Sequence, residues 1–137
     1  MDSEKKILRV VGCIIKHDSR MLMLFRSETE TDPSLWGIPA GKVEEGETDL
    51  EAIIREVFEE TGIQLEENQV EHLEELPIEY PNMTVVFPIF KVHLDEEAAV
   101  TLEPREHIDF GWISPDEVLK MPNLMKDVDL IVEKYAK

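Results

Sequence analysis

The segment Gly41–Ile63, GKVEEGETDLEAIIREVFEETGI, constrains this chain more than any other stretch. It reads as a loop with glycines at both ends that runs into a helix. Thr48 is suited to the N-cap, Glu51 three residues later completes a capping box, and Gly62 is suited to the C-cap. These signals predict a helix from about Asp49 to Thr61. On a wheel of roughly 100° per residue, Leu50, Ile53, Ile54, Val57 and Thr61 form one stripe with Phe58 at its border. That stripe is the expected core face. Glu56, Glu59 and Glu60 are expected opposite it, within an arc of roughly 100°. Like charges three and four residues apart destabilise a helix by about 0.2–0.5 kcal/mol per pair. A hard divalent cation removes that penalty, and Mg²⁺ is commonly held by a few carboxylates together with substrate phosphates. A merely solvated acidic face is the competing reading of three glutamates. Arg55, among these carboxylates, is placed to pair with Glu47 across the loop–helix junction, an orienting role rather than a chemical one.

The rest of the chain frames this helix. With 137 residues and a hydrophobic fraction of 42%, it fits a single domain over residues 1–137 with room for a core. ILRVVGCIIKHD and MLMLFR read as a hairpin through HDSR. SETETDPSLWGIPAG reads as a polar loop. QVEHLEELPIEY and MTVVFPIFKVHL read as two further strands joined at YPN, with Pro77 and Pro88 marking an edge, a bulge or a bend. FGWI is a short strand. SPDEVLKM starts a short helix with Ser114 as cap, Pro115 first and Glu117 closing the box, and NLMKDVDLIVEKYAK is a last amphipathic helix. Strands with one central and one C-terminal helix imply a mixed sheet between helices.

Composition excludes some classes. There are 14 Lys and Arg against 31 Asp and Glu, a net charge of −17, which repels nucleic-acid polymers and anionic membranes. Small anionic ligands remain compatible, because a bound metal reverses the local field. The one cysteine, Cys13, lies in the apolar run VVGCII and reads as a buried structural thiol. MDSEKKILRVV does not read as a signal peptide, and no run reaches membrane-spanning length, so a cytoplasmic location is expected. His17, His72, His93 and His107 share no metal-ligand spacing; only His107, beside Glu106, invites a site role.

The Gly41–Ile63 segment resembles the Nudix box, G-x5-E-x7-R-E-U-x-E-E-x-G-U with U a bulky aliphatic residue. Gly41, Glu47, Arg55, Glu56, Val57, Glu59, Glu60, Gly62 and Ile63 fill every fixed position. The resemblance implies an α/β fold, an α/β/α sandwich around a central mixed β-sheet. It implies metal-dependent hydrolysis of a nucleoside diphosphate linked to another moiety, with Mg²⁺ as cofactor and Mn²⁺ as a substitute. Glu56, Glu59 and Glu60 and the Gly41 carbonyl would be metal ligands, and Glu47 and Arg55 the bracing pair. In a later loop, EPREHIDFGW, Glu106 resembles the family's further metal-binding or proton-accepting glutamate, with Glu103 as competitor. Such chemistry is mainly positioning and charge stabilisation, which clustered carboxylates holding Mg²⁺ provide.

The substrate side is less constrained. Arg26, Trp36, Tyr80 and Phe87 are the substrate-binding candidates: Arg26 for a phosphate or a surface ion pair, Trp36 as a pocket wall or a core residue, and Tyr80 and Phe87, with Phe90 and Trp112, for stacking on a base. Phe87 and Phe90 have opposite parity, so at most one faces a pocket unless Pro88 bends the strand. Within the family, a tyrosine placed like Tyr80 suggests dinucleoside polyphosphates, while a proline near Pro77 is out of register for ADP-ribose. The compact length favours a MutT-like nucleoside triphosphate pyrophosphohydrolase, acting on a small-molecule nucleotide as monomer or homodimer. Nucleotide-sugar hydrolysis is a further alternative. A non-catalytic nucleotide sensor would bind tightly without turnover. The lack of a pocket cysteine argues against an isoprenoid diphosphate isomerase, and the net charge argues against messenger-RNA decapping.

Overall fold

The computed structural model describes residues 5–137. The first four residues, part of the stretch read above against a signal peptide, lie outside the described residues. Among the described residues, seven strands form one sheet: β1 (Lys6–His17), β2 (Arg20–Arg26), β3 (Trp36–Gly37), β4 (Ala40–Lys42), β5 (Glu71–Tyr80), β6 (Met83–Leu94) and β7 (His107–Ile113). The path runs β3-β2-β1-β6-β5, with β4 also pairing β1 and β7 also pairing β2. β1 and β6 are parallel and the other pairings antiparallel, so the sheet is mixed. The β1–β6 ladder stops at Arg9↔Val86 and resumes at Gly12↔Ile89. Pro88, with no N–H to donate, falls in that gap. Pro77 sits on the edge strand β5, where a missing donor is tolerated.

Helix α1 (Asp49–Thr61) has the expected bounds, the Thr48/Glu51 capping box and Gly62 in the left-handed region at φ 77°. It covers one face of the sheet: Ala52, Ile53 and Val57 pack with Val11, Cys13, Ile15, Leu22, Leu24, Phe90 and Val92. The other face is closed by α2 (Pro115–Val118), α3 (Val128–Ile131) and a π-helical turn Val132–Ala136. Val118, Val128, Ile131, Val132 and Ala136 pack there on Ile14, Met21, Met23, Ile38, Phe87 and Ile89. The fold is thus an α/β/α sandwich around a mixed sheet. Phe87 and Phe90 do point to opposite faces. Cys13 is fully buried, and burial pushes its thiol well up. Among the described residues, no helix is long and apolar enough to cross a membrane.

Several local expectations are corrected. The 27–41 loop contains β3 and the start of β4. The last amphipathic helix begins only at Val128, because the backbone before it is spent elsewhere: Trp36 N–H donates to Asn123 O at 2.8 Å, and Met125 N–H donates to Trp36 O at 2.9 Å. The Ser114 hydroxyl accepts from Glu117 N–H, but the Glu117 carboxylate turns to Lys120, so that box stays half-made. FGWI is the second half of a longer strand. Phe58 is not core; it is half-exposed.

Candidate active site

The box loop and α1 are locked together by one guanidinium. Arg55 Nε and Nη2 donate to the two oxygens of Glu47 at 2.6 and 2.9 Å, a bidentate fork. Nη2 also donates to Lys42 O at 3.0 Å, which ties the loop backbone to the helix. Glu44 N–H donates to Glu47 Oε1 at 2.9 Å. These bonds, Arg55 first, hold the Glu47 carboxyl down at about 2. The same guanidinium reaches forward: Nη1 donates to Glu56 at 2.7 Å and to Glu59 at 3.0 Å.

The three helix glutamates are not equivalent, and this corrects the wheel. Glu59 is 52% exposed, whereas Glu60 is 2% exposed. Glu60 follows Ile53 by seven residues, about two turns, so it borders the core stripe rather than lying opposite it. Its Oε1 accepts the Ala40 N–H at 3.0 Å, so the start of β4 docks on this carboxylate. Burial, then the Glu56 and Glu106 charges, raises the Glu60 pKa well above the ordinary carboxylate range. Glu56 is raised first by burial, with Glu59 and Glu106 adding to it against Arg55. Gly41 lies directly on Glu56: a Cβ there would collide with the Glu56 carboxylate. Glycine at this position lets the backbone approach that carboxylate closely.

The 103–107 loop brings the fourth carboxylate. Glu106 is raised by burial and then by Glu30, Glu103 and Glu59, with Arg26 opposing. Its charge is felt at Glu56 and Glu60 as well. Glu103, the competitor, is engaged by Arg105, whose Nε and Nη2 donate to it at 3.2 Å each. His107 is buried, and its Nδ1 is, among the described residues, the one buried side-chain polar atom without a hydrogen-bond partner. Burial, then Arg26, lowers its pKa to about 4, so the ring is neutral at pH 7.

The remaining candidates divide. Arg26 spends its donors on the following loop, with Nη2 to Thr31 O at 2.6 Å and Nε to the same carbonyl at 2.8 Å, while its charge favours the ionised forms of Glu60 and Glu106. Trp36, Tyr80 and Phe87 gather on the sheet face away from α1. Trp36 packs on Phe25 with ring centroids 5.0 Å apart. Phe87 is buried against Gly12, where a Cβ would collide with its ring, so its position is that of a core residue. Tyr80 has Lys126 Nζ 5.7 Å from its ring centroid. Burial and the charges of Asp32 and Asp127 raise its phenol. Asp32 and Asp127 went unread in the sequence. Both have left-handed backbone, φ 50° and 66°, a conformation aspartate tolerates, and that preference is a faint signal.

The donor set suits a hard cation: carboxylate oxygens and a close backbone segment, with no sulfur or imidazole among them. Among the described residues, no group of three or more His, Cys, Asp or Glu side chains is arranged to hold a metal ion as the side chains stand. Arg55 is the counter-ion of Glu56 and Glu59 in this arrangement.

Comparison with known proteins agrees with this geometry. The NUDIX domain family model matches residues 6–134. The chain is 30% identical over 128 residues to a CTP pyrophosphohydrolase of Escherichia coli K12, covering 92% of this chain and 90% of that protein. It is 31% identical over 118 residues to the phosphatase NudJ of Shigella boydii, covering 83% and 72% respectively. The crystal structure of a MutT protein from Methanosarcina mazei Go1 superposes with a TM-score of 0.83 at 29% identity, covering 96% of this chain and 94% of that one. A box that packs as one unit, on a fold shared along nearly its whole length, makes this chain a member of the NUDIX domain family and a Nudix hydrolase.

Proposed function

We propose that residues 1–137 form one cytoplasmic, MutT-like nucleoside triphosphate pyrophosphohydrolase domain that releases a nucleoside monophosphate and pyrophosphate. The observation that carries this reading is that Arg55 gathers Glu47, Glu56 and Glu59 while Gly41 lies against Glu56, with the charges of Glu60 and Glu106 coupled to this group. Burial and neighbouring carboxylates raise the proton affinity of Glu56, Glu60 and Glu106, and the same negative field draws in a divalent cation. Glu56, Glu59, Glu60 and the Gly41 carbonyl would hold Mg²⁺, or Mn²⁺ in its place. When bound, the metal supplies charge neutralisation at the phosphate oxygens and a more acidic water. Glu47 and Arg55 keep loop and helix in register. Of the two loop glutamates, Glu106 is assigned to the reaction, because Glu103 is committed to Arg105. Arg26 supports the site by opposing the acidity-weakening effect of burial on Glu60 and Glu106.

The base is read as lying on the other face, against Trp36 and Tyr80, with Asp32 and Asp127 as acceptors for exocyclic amino groups. The similarity to a CTP pyrophosphohydrolase favours a nucleoside triphosphate over a dinucleoside polyphosphate or ADP-ribose. The test is product release by the purified protein with and without Mg²⁺, across unmodified and oxidised dNTPs, CTP, ADP-ribose, diadenosine polyphosphates and nucleotide sugars. Mg²⁺-dependent pyrophosphate release from a triphosphate is the expected result. Turnover of ADP-ribose or a diadenosine polyphosphate alone would reassign the substrate. Tight nucleotide binding with no turnover would replace the enzyme reading by the sensor one.

A further inference from the structure

Glu106 differs from the other three carboxylates in being carried by a loop, so something must hold it among like charges. Burial, and then the charges of Glu30, Glu103 and Glu59, disfavour its ionised form, with Arg26 opposing them. The backbone around it is nevertheless pinned from two sides. Within the loop, Glu106 N–H and His107 N–H both donate to Glu103 O at 3.0 Å. From outside, Ser27 takes both carbonyls of the Arg105–Glu106 pair. Its N–H donates to Glu106 O at 2.9 Å, and its hydroxyl donates to Arg105 O at 2.8 Å.

Ser27 follows the last residue of β2, where the β2–β7 ladder becomes irregular between Phe25 and Arg26. The backbone bond there continues the ladder and any residue but proline would make it. The hydroxyl is the specific part. Ser27 is 5% exposed, and a buried hydroxyl is retained only where it is hydrogen-bonded. Alanine would fill the same place without that requirement. The hydroxyl of Thr29 lies 3.0 Å from that of Ser27 and 3.3 Å from Arg105 O, so the same carbonyl is gripped twice.

We propose that Ser27 is the positioning residue for Glu106: its buried hydroxyl fixes the Arg105–Glu106 backbone so that the Glu106 carboxylate stays in the acidic cluster of α1. This rests on the assignment of Glu106 to the metal site made above. It places a determinant of catalysis outside the box, just after β2, on a residue that is not among the assigned metal ligands.

The experiment is Mn²⁺ binding by the purified full chain, followed by electron paramagnetic resonance, for wild type, Ser27→Ala, Glu106→Gln and the double variant. Glu106→Gln should weaken Mn²⁺ binding about 10-fold or more, since even outer-shell partners of metal ligands are commonly worth 10–100-fold. Ser27→Ala should weaken it about 3- to 10-fold, and the double variant should bind no more weakly than Glu106→Gln alone. On whichever panel nucleotide is hydrolysed, Ser27→Ala should lower kcat with KM within about twofold. Wild-type Mn²⁺ affinity in Ser27→Ala beside a weakened Glu106→Gln overturns the inference alone, and so does additivity in the double variant. Wild-type affinity in Glu106→Gln overturns the Glu106 assignment and this inference with it. If Ser27→Ala fails to fold, Ser27→Cys keeps the volume with a weaker donor, and the same outcomes decide.

Discussion

On the α1 face of the sheet, the charged groups come mostly from one helix and the loop that precedes it. On the opposite face, Trp36, Tyr80, Asp32, Asp127 and Lys126 come from separate stretches spread over nearly a hundred positions. On the first face the helix rests on an apolar core, and the charged groups are fixed by a dense set of ionic hydrogen bonds centred on Arg55. The second is held by apolar packing and by a few backbone bonds, such as those between Trp36 and residues 123 and 125. A site built within one helix leaves its geometry in the residue spacing, because the helical repeat converts spacing into direction. A site assembled across loops leaves none. If the two faces divide the labour, changes on the first should act on metal and turnover, and changes on the second on which nucleotide is accepted.

The largest expected effect is from Glu60→Gln. Gln keeps an oxygen for the Ala40 N–H, so β4 stays docked, but it removes a buried charge. Mg²⁺-dependent turnover should fall about 10²-fold or more, on the scale seen when a preorganised electrostatic group is removed. The metal-free variant should melt no lower than wild type. Wild-type turnover would remove Glu60 from the ligand set; a large loss of metal-free stability would make it a structural residue instead. Glu59→Gln should lose comparable activity while changing metal-free stability less, because Glu59 is exposed.

Gly41→Ala is next. The added methyl collides with the Glu56 carboxylate, so that side chain must leave and Arg55 loses a partner. Turnover should fall about 10-fold or more, as for lost outer-shell support of a metal site. An active Gly41→Ala would mean that the close approach of loop and helix has no catalytic purpose. The α1 boundaries, the capping box and the Arg55–Glu47 pair were all legible beforehand, because each is set by residues within one local segment. The burial of Glu60 was misread because it was placed opposite a stripe it borders. Ser27 could not be read at all: its partner carbonyl is on Arg105, and only the β2–β7 pairing brings the two together. The C-terminal helix was over-read for a related reason, since the bonds that stop it lie at Trp36.

The pH dependence sharpens the comparison further. Glu56, Glu60 and Glu106 have folded-state pKa values raised above the ordinary 4.5. Each therefore contributes stability that is full below about pH 4.5 and is lost as pH rises through its folded pKa. Glu47 has the opposite sign: held at about 2, its contribution is present above 4.5 and lost only as pH falls towards 2. The metal-free protein should thus gain stability as pH is lowered from 8 towards 5, by a few degrees in Tm, and Mg²⁺ should flatten that slope. Relief of the net −17 charge acts in the same direction, so the decisive quantity is the difference from Glu60→Gln. Identical slopes in the two proteins would mean that the α1 cluster does not titrate as described. Turnover should run the other way, with an alkaline optimum, because the cluster must ionise to hold metal and to accept a proton. An acidic optimum would contradict this.

The smallest effect tests the other face. Tyr80→Phe removes the phenol that faces Asp32 and Asp127 but keeps the ring under Lys126. A neutral hydrogen bond is worth about 0.5–1.5 kcal/mol, so KM for the preferred nucleotide should rise about 2- to 10-fold. Mn²⁺ affinity should be unchanged, because Tyr80 packs on the face away from α1. Relative preference among bases should shift more than kcat if, as proposed, the phenol and its acidic neighbours meet the base and not the phosphates. A parallel fall in Mn²⁺ affinity would break the division between the two faces and make Tyr80 part of one continuous site. An unchanged base preference would move recognition away from Tyr80, leaving Trp36 with Asp32 and Asp127 as the groups to substitute.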